Sequence, residues 1–171
     1  MSEMIPAVED PIPRFRFLVS LDPTDAYLPR AQTAVLTLIA AGQFSKVTGL
    51  GAELEVLAHP EGGRNDYVHQ LPVRHTYKRL VLSRGIVRDP GLFFWYQAGL
   101  TQSIGARRDG AVILLTRRGF PAAAWWFQGG LAAAWNGPEL DGTASEIAVE
   151  SIEIAHEGLL QVTLPLPRLF A

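Results

Sequence analysis

The sequence predicts a mainly β chain, a single antiparallel β-barrel or sandwich carrying one flanking α-helix. Three observations lead there. Apolar and polar residues alternate over short runs bounded by Gly, Pro, Asn and Asp, the pattern of half-buried strands. Only the stretch Gly91–Gln102 carries helical spacing, with Leu92, Trp95, Tyr96 and Gly99 on one side. No repeat, low-complexity block or linker divides the 171 residues, so a single core is expected.

In chain order, residues 1–13 read as a flexible head held open by Pro6, Pro11 and Pro13. A strand begins at Arg14, with Phe15, Phe17 and Val19 on one face. Asp22-Pro23-Thr24-Asp25 turns the chain. β-Branched residues at 33, 35, 37 and 39 favour a strand over 33–40, resumed from Phe44 to Val47. Gly49 and Gly51 permit a tight turn. Residues 52–57 alternate again, with Leu54 and Val56 expected inward, and 59–66 form a glycine-rich loop.

Leu80 and Leu82 share one face of the next strand, and Arg79, Val81 and Ser83 the other. Asp89 as N-cap and Pro90 at the first position start the helix. Arg107-Arg108-Asp109-Gly110 reads as a hairpin-type turn before the apolar strand 111–115. Residues 123–128, 131–135 and 146–157 complete a set of about eight strands. In the last of these, Ile147 and Val149 have one parity, Ile152 and Ile154 the other. A β-bulge near Glu150-Ser151 is expected to reconcile them.

The formal net charge is −2, and 19% of residues are charged, so no basic excess supports nucleic-acid or membrane-surface binding. The chain has no cysteine, which excludes disulfides, thiolate metal sites and a thiol nucleophile. The longest apolar stretch, 34–41, is too short to span a bilayer, and residues 1–13 lack a secretory pattern. A soluble chain without a membrane anchor is the expectation.

Catalytic chemistry finds little support. His59, His69, His75 and His156 do not fall at metal-ligand spacing with carboxylates, so they read as loop or surface histidines and no metal is expected. No nucleophile elbow or phosphate loop occurs. Gly62-Gly63-Arg64 is too short a signal for an anion cradle, and a flexible loop is the stronger reading. Glu146, Glu150, Glu153 and Glu157 read as outward decoration of a strand, a solvated or interface face. The aromatic run Phe93-Phe94-Trp95-Tyr96 is expected to pack into the core. No nucleophile, base and orienter assemble, so neither enzymatic activity nor a cofactor is expected. Apolar residues on both parities, as in Val112-Ile113-Leu114, call for cover on two faces, and a partner subunit would supply the second.

The order of several motifs resembles a known family. Phe44-Ser45-Lys46-Val47-Thr48-Gly49-Leu50 with Glu53 and Glu55 is similar to its opening. Gly62-Gly63 with Asn65, Leu71-Pro72 and Tyr77 to Gly85 are similar to its middle. Leu92, Trp95-Tyr96, Arg107-Arg108, Trp125 to Phe127, Trp135 and Glu150 through His156-Glu157-Gly158-Leu159 complete the order. Together they resemble the tail tube proteins of contractile phages and phage-derived contractile injection systems, related in fold to the haemolysin-coregulated protein. The likeness runs from about Phe15 to Leu159, which sets a tube-like domain over 14–159 and a C-terminal extension over 160–171.

The resemblance implies a non-enzymatic structural subunit. It implies a homo-hexameric ring, rings stacked into a hollow tube able to hold cargo, and contacts with sheath and baseplate proteins. The particle, a virion tail or phage-tail-like injection device, would assemble in the bacterial cytoplasm. A β-hairpin arm over 54–65 is implied to reach the neighbouring ring, which makes Leu54, Val56, Gly62, Gly63, Arg64 and Asn65 candidate inter-subunit contacts. Glu150, Glu153 and His156 join them from the last third of the chain.

Two additions depart from the family pattern: the lengthened first hairpin, 22–41, and a proline-spaced tail, 158–171. A subunit repeated along a tube must fit such additions at every layer, whereas one used once at the baseplate end escapes that constraint. Main tube and tube initiator both stay open, and the apolar character of the additions favours the initiator. A small-ligand-binding β-barrel lined by Trp125, Trp126 and Trp135 is the rival class, and a flavin-dependent reductase a more distant one.

Overall fold

A computed structural model describes residues 16–21, 44–60, 62–63, 66–86, 88, 90–102, 106–143 and 145–163. The expectations for 1–13, for the strand over 33–40, for the lengthened hairpin 22–41, for the Asp89 cap and for 164–171 lie outside the described residues. In order, the elements are β1 (Phe17–Leu21), β2 (Lys46–Thr48), β3 (Ala52–His59), β4 (His69–Tyr77), β5 (Leu80–Gly85), α1 (Gly91–Gln102), β6 (Arg108–Leu115), β7 (Pro121–Asn136), β8 (Val149–Ala155) and β9 (Gly158–Thr163). The architecture is mainly β and antiparallel, and among the described residues it carries one helix, where it was expected.

Seven strands form the body in the order β1-β6-β7-β8-β5-β2, with β9 joined to β7, while β3 and β4 form a separate two-stranded sheet. β7 organises the body. Its first half pairs with β6 and β9, and its second half with β8. The partners Leu131↔Ala155 and Gln128↔Gly158 keep one register, so β8 and β9 lie end to end along the same edge of β7. The ladder is carried across the break by the Glu157 N–H, which donates to the Gln128 carbonyl at 2.9 Å. Opposite the break, Gly129 has φ +62°, a conformation that L side chains adopt rarely, and its N–H donates to Asp109 Oδ1 at 2.8 Å. The sequence therefore yields one bent 16-residue strand where two were expected.

The core gathers Val19, Leu21, Leu80, Leu82, Val112, Phe127, Ile152 and Ile154 from the sheet with Leu92 and Trp95 from α1. Each such side chain contributes about 1.5–3 kcal/mol when removed from water. Trp95 Nε1 donates to the Ala106 carbonyl at 2.9 Å, which satisfies its one polar atom inside. Phe93 meets Trp135 edge-on, with centroids 4.9 Å apart. Of the aromatic run, Trp95 thus lies in the core with Tyr96 packed against it, and Phe93 and Phe94 are half-buried.

Four local expectations are corrected. Arg108-Asp109-Gly110 is not a turn but the start of β6. Asp109 falls at a register shift and caps Gly129, while buried Arg108 lies over Trp95 at 5.7 Å, so tertiary partners take up residues that look turn-forming. β8 has no bulge: its register to β5 is unbroken from Leu80↔Ile154 to Gly85↔Val149, and the slip lies on β7, between Ala132 and Ala134. Glu150 consequently shares the inward face with Ile152 and Ile154, whereas Ile147 is 80% exposed. Leu54 and Val56 do not face a core: every residue of β3 is exposed, as is every residue of β4 except its two ends, His69 and Tyr77. At the C-terminal side, β9 extends the sheet to Thr163, past the expected domain end at 159.

Candidate assembly surface

The β3–β4 ribbon is built from two strands that carry apolar side chains yet bury almost nothing. Leu54 and Leu57 are 56% and 54% exposed, and Val56, Leu71 and Val73 are exposed with them. A lone two-stranded ribbon is marginal in water, so its base has to be held. Gly49 provides part of that hold. It has φ +85°, and a Cβ there would lie 1.9 Å from the Arg79 carbonyl oxygen, so the chain comes within contact of its own return strand. The Lys78 N–H donates to the Gly51 carbonyl at 3.0 Å, and Lys78 Nζ pairs with Glu53 at 2.7 Å. That hydrogen bond and charge hold the Glu53 carboxyl below the usual carboxylate range.

His156 ties this base to the body. Its Nδ1 lies 3.0 Å from the Gly158 carbonyl oxygen and its Nε2 lies 3.1 Å from that of Lys78. One ring N–H donates in the neutral form, and both donate in the imidazolium. The ring also meets that of Tyr77, the last residue of β4, with centroids 5.3 Å apart and planes tilted by 42°. His156 is therefore a fastener between the arm and the junction of β8 and β9.

The sequence-derived contact residues divide into three groups. Leu54 and Val56 lie exposed on the arm, and Gly62 and Gly63 form the turn at its far end; Arg64 and Asn65 are outside the described residues. Glu153 pairs with Arg79 at 3.3 Å on the surface, and His156 works within the chain as described. Glu150 is only 6% exposed and binds two partners inside: Arg84 Nε donates to Oε1 at 2.7 Å and Trp135 Nε1 to Oε2 at 3.0 Å. Sequence reasoning missed Leu57, Leu71 and Val73, together with β4 itself. Their signal was present, since His69, Leu71, Val73, His75 and Tyr77 alternate with polar residues across Pro72.

Other apolar side chains stand out on the body. Trp126 and Leu160 are cross-strand partners on β7 and β9, both exposed, and Leu140 and Ile147 project from the loop before β8. A cleft of about 620 Å³ runs beside the first pair, lined by Tyr77, Trp126, Gln128, Leu159 and Leu160 among others. Of the three tryptophans expected to line a ligand pocket, only Trp126 borders it. Trp125 packs on the core, and Trp135 is held by Glu150 and Phe93. No group of three or more His, Asp or Glu side chains among the described residues is arranged to hold a metal ion. No helix among them is long and apolar enough to cross a membrane.

Comparison with known proteins gives these features a context. No curated protein matches the sequence. Among solved structures, a chain of the anti-feeding prophage baseplate, 6-fold symmetrised, superposes with a TM-score of 0.75 at 22% identity, over 92% of this chain and 99% of that one. A chain of the sheath-tube complex of an extracellular contractile injection system, PVC, in the extended state gives 0.71 at 21% identity, over 96% and 99%. A chain of the anti-feeding prophage tube-terminating cap gives 0.71 at 22%, over 92% and 95%. These likenesses establish the fold. The family model described as T4-like virus tail tube protein gp19 matches residues 13–160, most of the chain, and the chain belongs to that tail tube family.

Proposed function

We propose that this chain is the inner-tube subunit of a contractile injection particle, closing into six-membered rings that stack into a hollow tube. The observation that carries the reading is the arm: a ribbon with exposed apolar side chains on a body that already has a complete core, in a member of the tail tube family. Such a surface is stable in isolation only at a cost and is suited to cover by further copies. Ring closure needs a heterologous contact that returns on itself, and stacking needs an axial contact that repeats. The sixfold symmetry applied to the related baseplate supports the choice of six. The role is structural, with sheath and baseplate proteins as neighbours and a lumen open to cargo, in a particle assembled before release from the bacterial cytoplasm.

Within that role, the chain serves as the baseplate-proximal ring that starts the tube. The support is the pair of additions at 22–41 and 158–171, which a subunit used once accommodates more readily than one repeated at every layer. Two experiments separate the levels. Analytical ultracentrifugation of the purified chain at rising concentration is expected to give a hexamer or its multiples, and a strict monomer throughout would remove the tube reading. Deletion of residues 22–29, assayed with sheath and baseplate proteins, is expected to leave elongation intact while initiation fails. Unaffected initiation would remove the baseplate assignment alone.

A further inference from the structure

We propose that protonation of His156 tightens the hold of the body on the β3–β4 arm, so that the arm is pinned in mild acid and loosened as pH rises. The basis is the geometry of one ring, and the tube reading is not needed for it. Both nitrogens of His156 face acceptors: the Gly158 carbonyl oxygen lies 3.0 Å from Nδ1 and the Lys78 carbonyl oxygen 3.1 Å from Nε2. A neutral imidazole has one N–H and one lone pair. Whichever tautomer forms, a nitrogen lone pair is set against a carbonyl oxygen, and one of the two contacts is lost. The imidazolium donates to both, and its charge strengthens each bond.

The two carbonyls differ in what they tie. Gly158 is only 2 residues away in the chain, so the Nδ1 contact orders little beyond the junction of β8 and β9. Lys78 is 78 residues away and belongs to the base of the arm, where its N–H donates to the Gly51 carbonyl at 3.0 Å and closes the ribbon. The local bond orders the fewest groups, so the neutral ring keeps it and releases the Lys78 carbonyl. Only the doubly protonated ring fastens the arm and the junction together.

The surroundings accept the charge. His156 is half-buried, which leaves it open to proton exchange with water. The Tyr77 ring of β4 lies 5.3 Å away, within reach of a cation–aromatic contact, and the Phe127 ring of β7 lies 6.2 Å away. The ionisable groups that neighbouring elements bring near are already engaged. Lys78 pairs with Glu53 of β3, Arg79 with Glu153 of β8 and Arg107 with Glu157, while Asp109 of β6 accepts from the Gly129 N–H. His75 of β4 touches the Tyr77 ring at 4.6 Å and is a second imidazole, so it is the group to control for. His59 and His69 oppose each other at the far end of the arm, where two like charges work against tightening.

Hydrogen exchange of the Lys78 amide in the full chain, below assembling concentration and corrected for intrinsic rates, is the test. Protection is expected to be about twofold to tenfold higher at about pH 5.5 than at about pH 7.5, the worth of one net hydrogen bond over the span in which imidazoles titrate. His156→Gln, which cannot gain a proton, is expected to abolish the difference, whereas His75→Gln keeps it. Protection that stays level or falls on acidification in wild type, or a gain that persists in His156→Gln, would overturn the proposal. A reading on wild type alone covers the case in which a variant misfolds. Ring proton–nitrogen NMR spectra at about pH 5.5 are expected to show both His156 N–H protons slowed in exchange with water, and one that exchanges freely overturns the proposal. Because the chain is read unassembled, loss of the tube reading leaves this inference standing.

Discussion

Arg84 and Glu150 meet inside the sheet, Nε to Oε1 at 2.7 Å, on adjacent strands where their backbones pair directly. Arg84 is wholly excluded from solvent, and Trp135 Nε1 donates to the other carboxylate oxygen. Removing one partner of such a pair leaves a buried charge uncompensated. Glu150→Ala is expected to destabilise the folded chain by about 3–5 kcal/mol. Arg84→Met combined with Glu150→Leu is expected to recover most of that loss, because shape is kept and neither charge remains. Denaturant unfolding of the three proteins checks both statements, and a single variant as stable as wild type would show that the pair is not a structural element.

The fastening role of His156 gives a local rather than global expectation. His156→Leu removes the ring that bridges the Lys78 and Gly158 carbonyls, and each hydrogen bond that it donates to them is worth about 0.5–1.5 kcal/mol. Hydrogen exchange is expected to quicken in β3 and β4 while β5 to β8 keep wild-type protection. Equal loosening of the whole body would contradict the assignment.

Glu53 and Lys78 supply a test with a definite sign. The folded-state pKa of Glu53 is depressed by the Lys78 hydrogen bond and charge, so the contribution of the pair is present above the unfolded value and disappears as pH falls through the folded one. Lys78→Met is expected to move the Glu53 pKa upward, followed by NMR of its side-chain carbonyl. Because both groups are exposed, overall stability should hardly change. An unmoved Glu53 titration would show that the bridge does not form in solution.

At Gly49, a positive φ and the approach to the Arg79 carbonyl coincide. Gly49→Ala is expected to cost more than about 1–3 kcal/mol, the usual scale for an L residue strained in that conformation, because backbone atoms must also separate. Gly51→Ala, where the nearest atom is a flexible Lys78 methylene at 3.7 Å, is the control and should be nearly silent. Thermal melting distinguishes them, and equal effects would contradict the account.

Much of the body was legible in the sequence because strand parity reports burial. Leu80 and Leu82 on β5 fell on the inward face, and the helix over Gly91–Gln102 announced itself through its apolar spacing. What failed depended on partners that no single segment reveals. Glu150 read as outward because a carboxylate usually is, yet it shares parity with Ile152 and Ile154, as Arg84 does with Leu80 and Leu82. Only strand pairing joins the two. The arm was foreseen through family likeness as 54–65, but its return strand was not, and the bulge at Val73 beside Pro72 becomes visible only in the strand pairing. Leu54 and Val56 read as core because alternation cannot distinguish cover by the chain from cover by something else. The same limit hid Gly129, where a bend turned two apparent strands into one.

Cryo-electron microscopy of the purified wild-type chain at assembling concentration tests the central claim most directly. End views are expected to have sixfold rotational symmetry, with the β3–β4 arm enclosed between subunits and the Arg84–Glu150 pair buried within each one. Particles that remain single subunits, or rings of another order with the arm still in solvent, would contradict it.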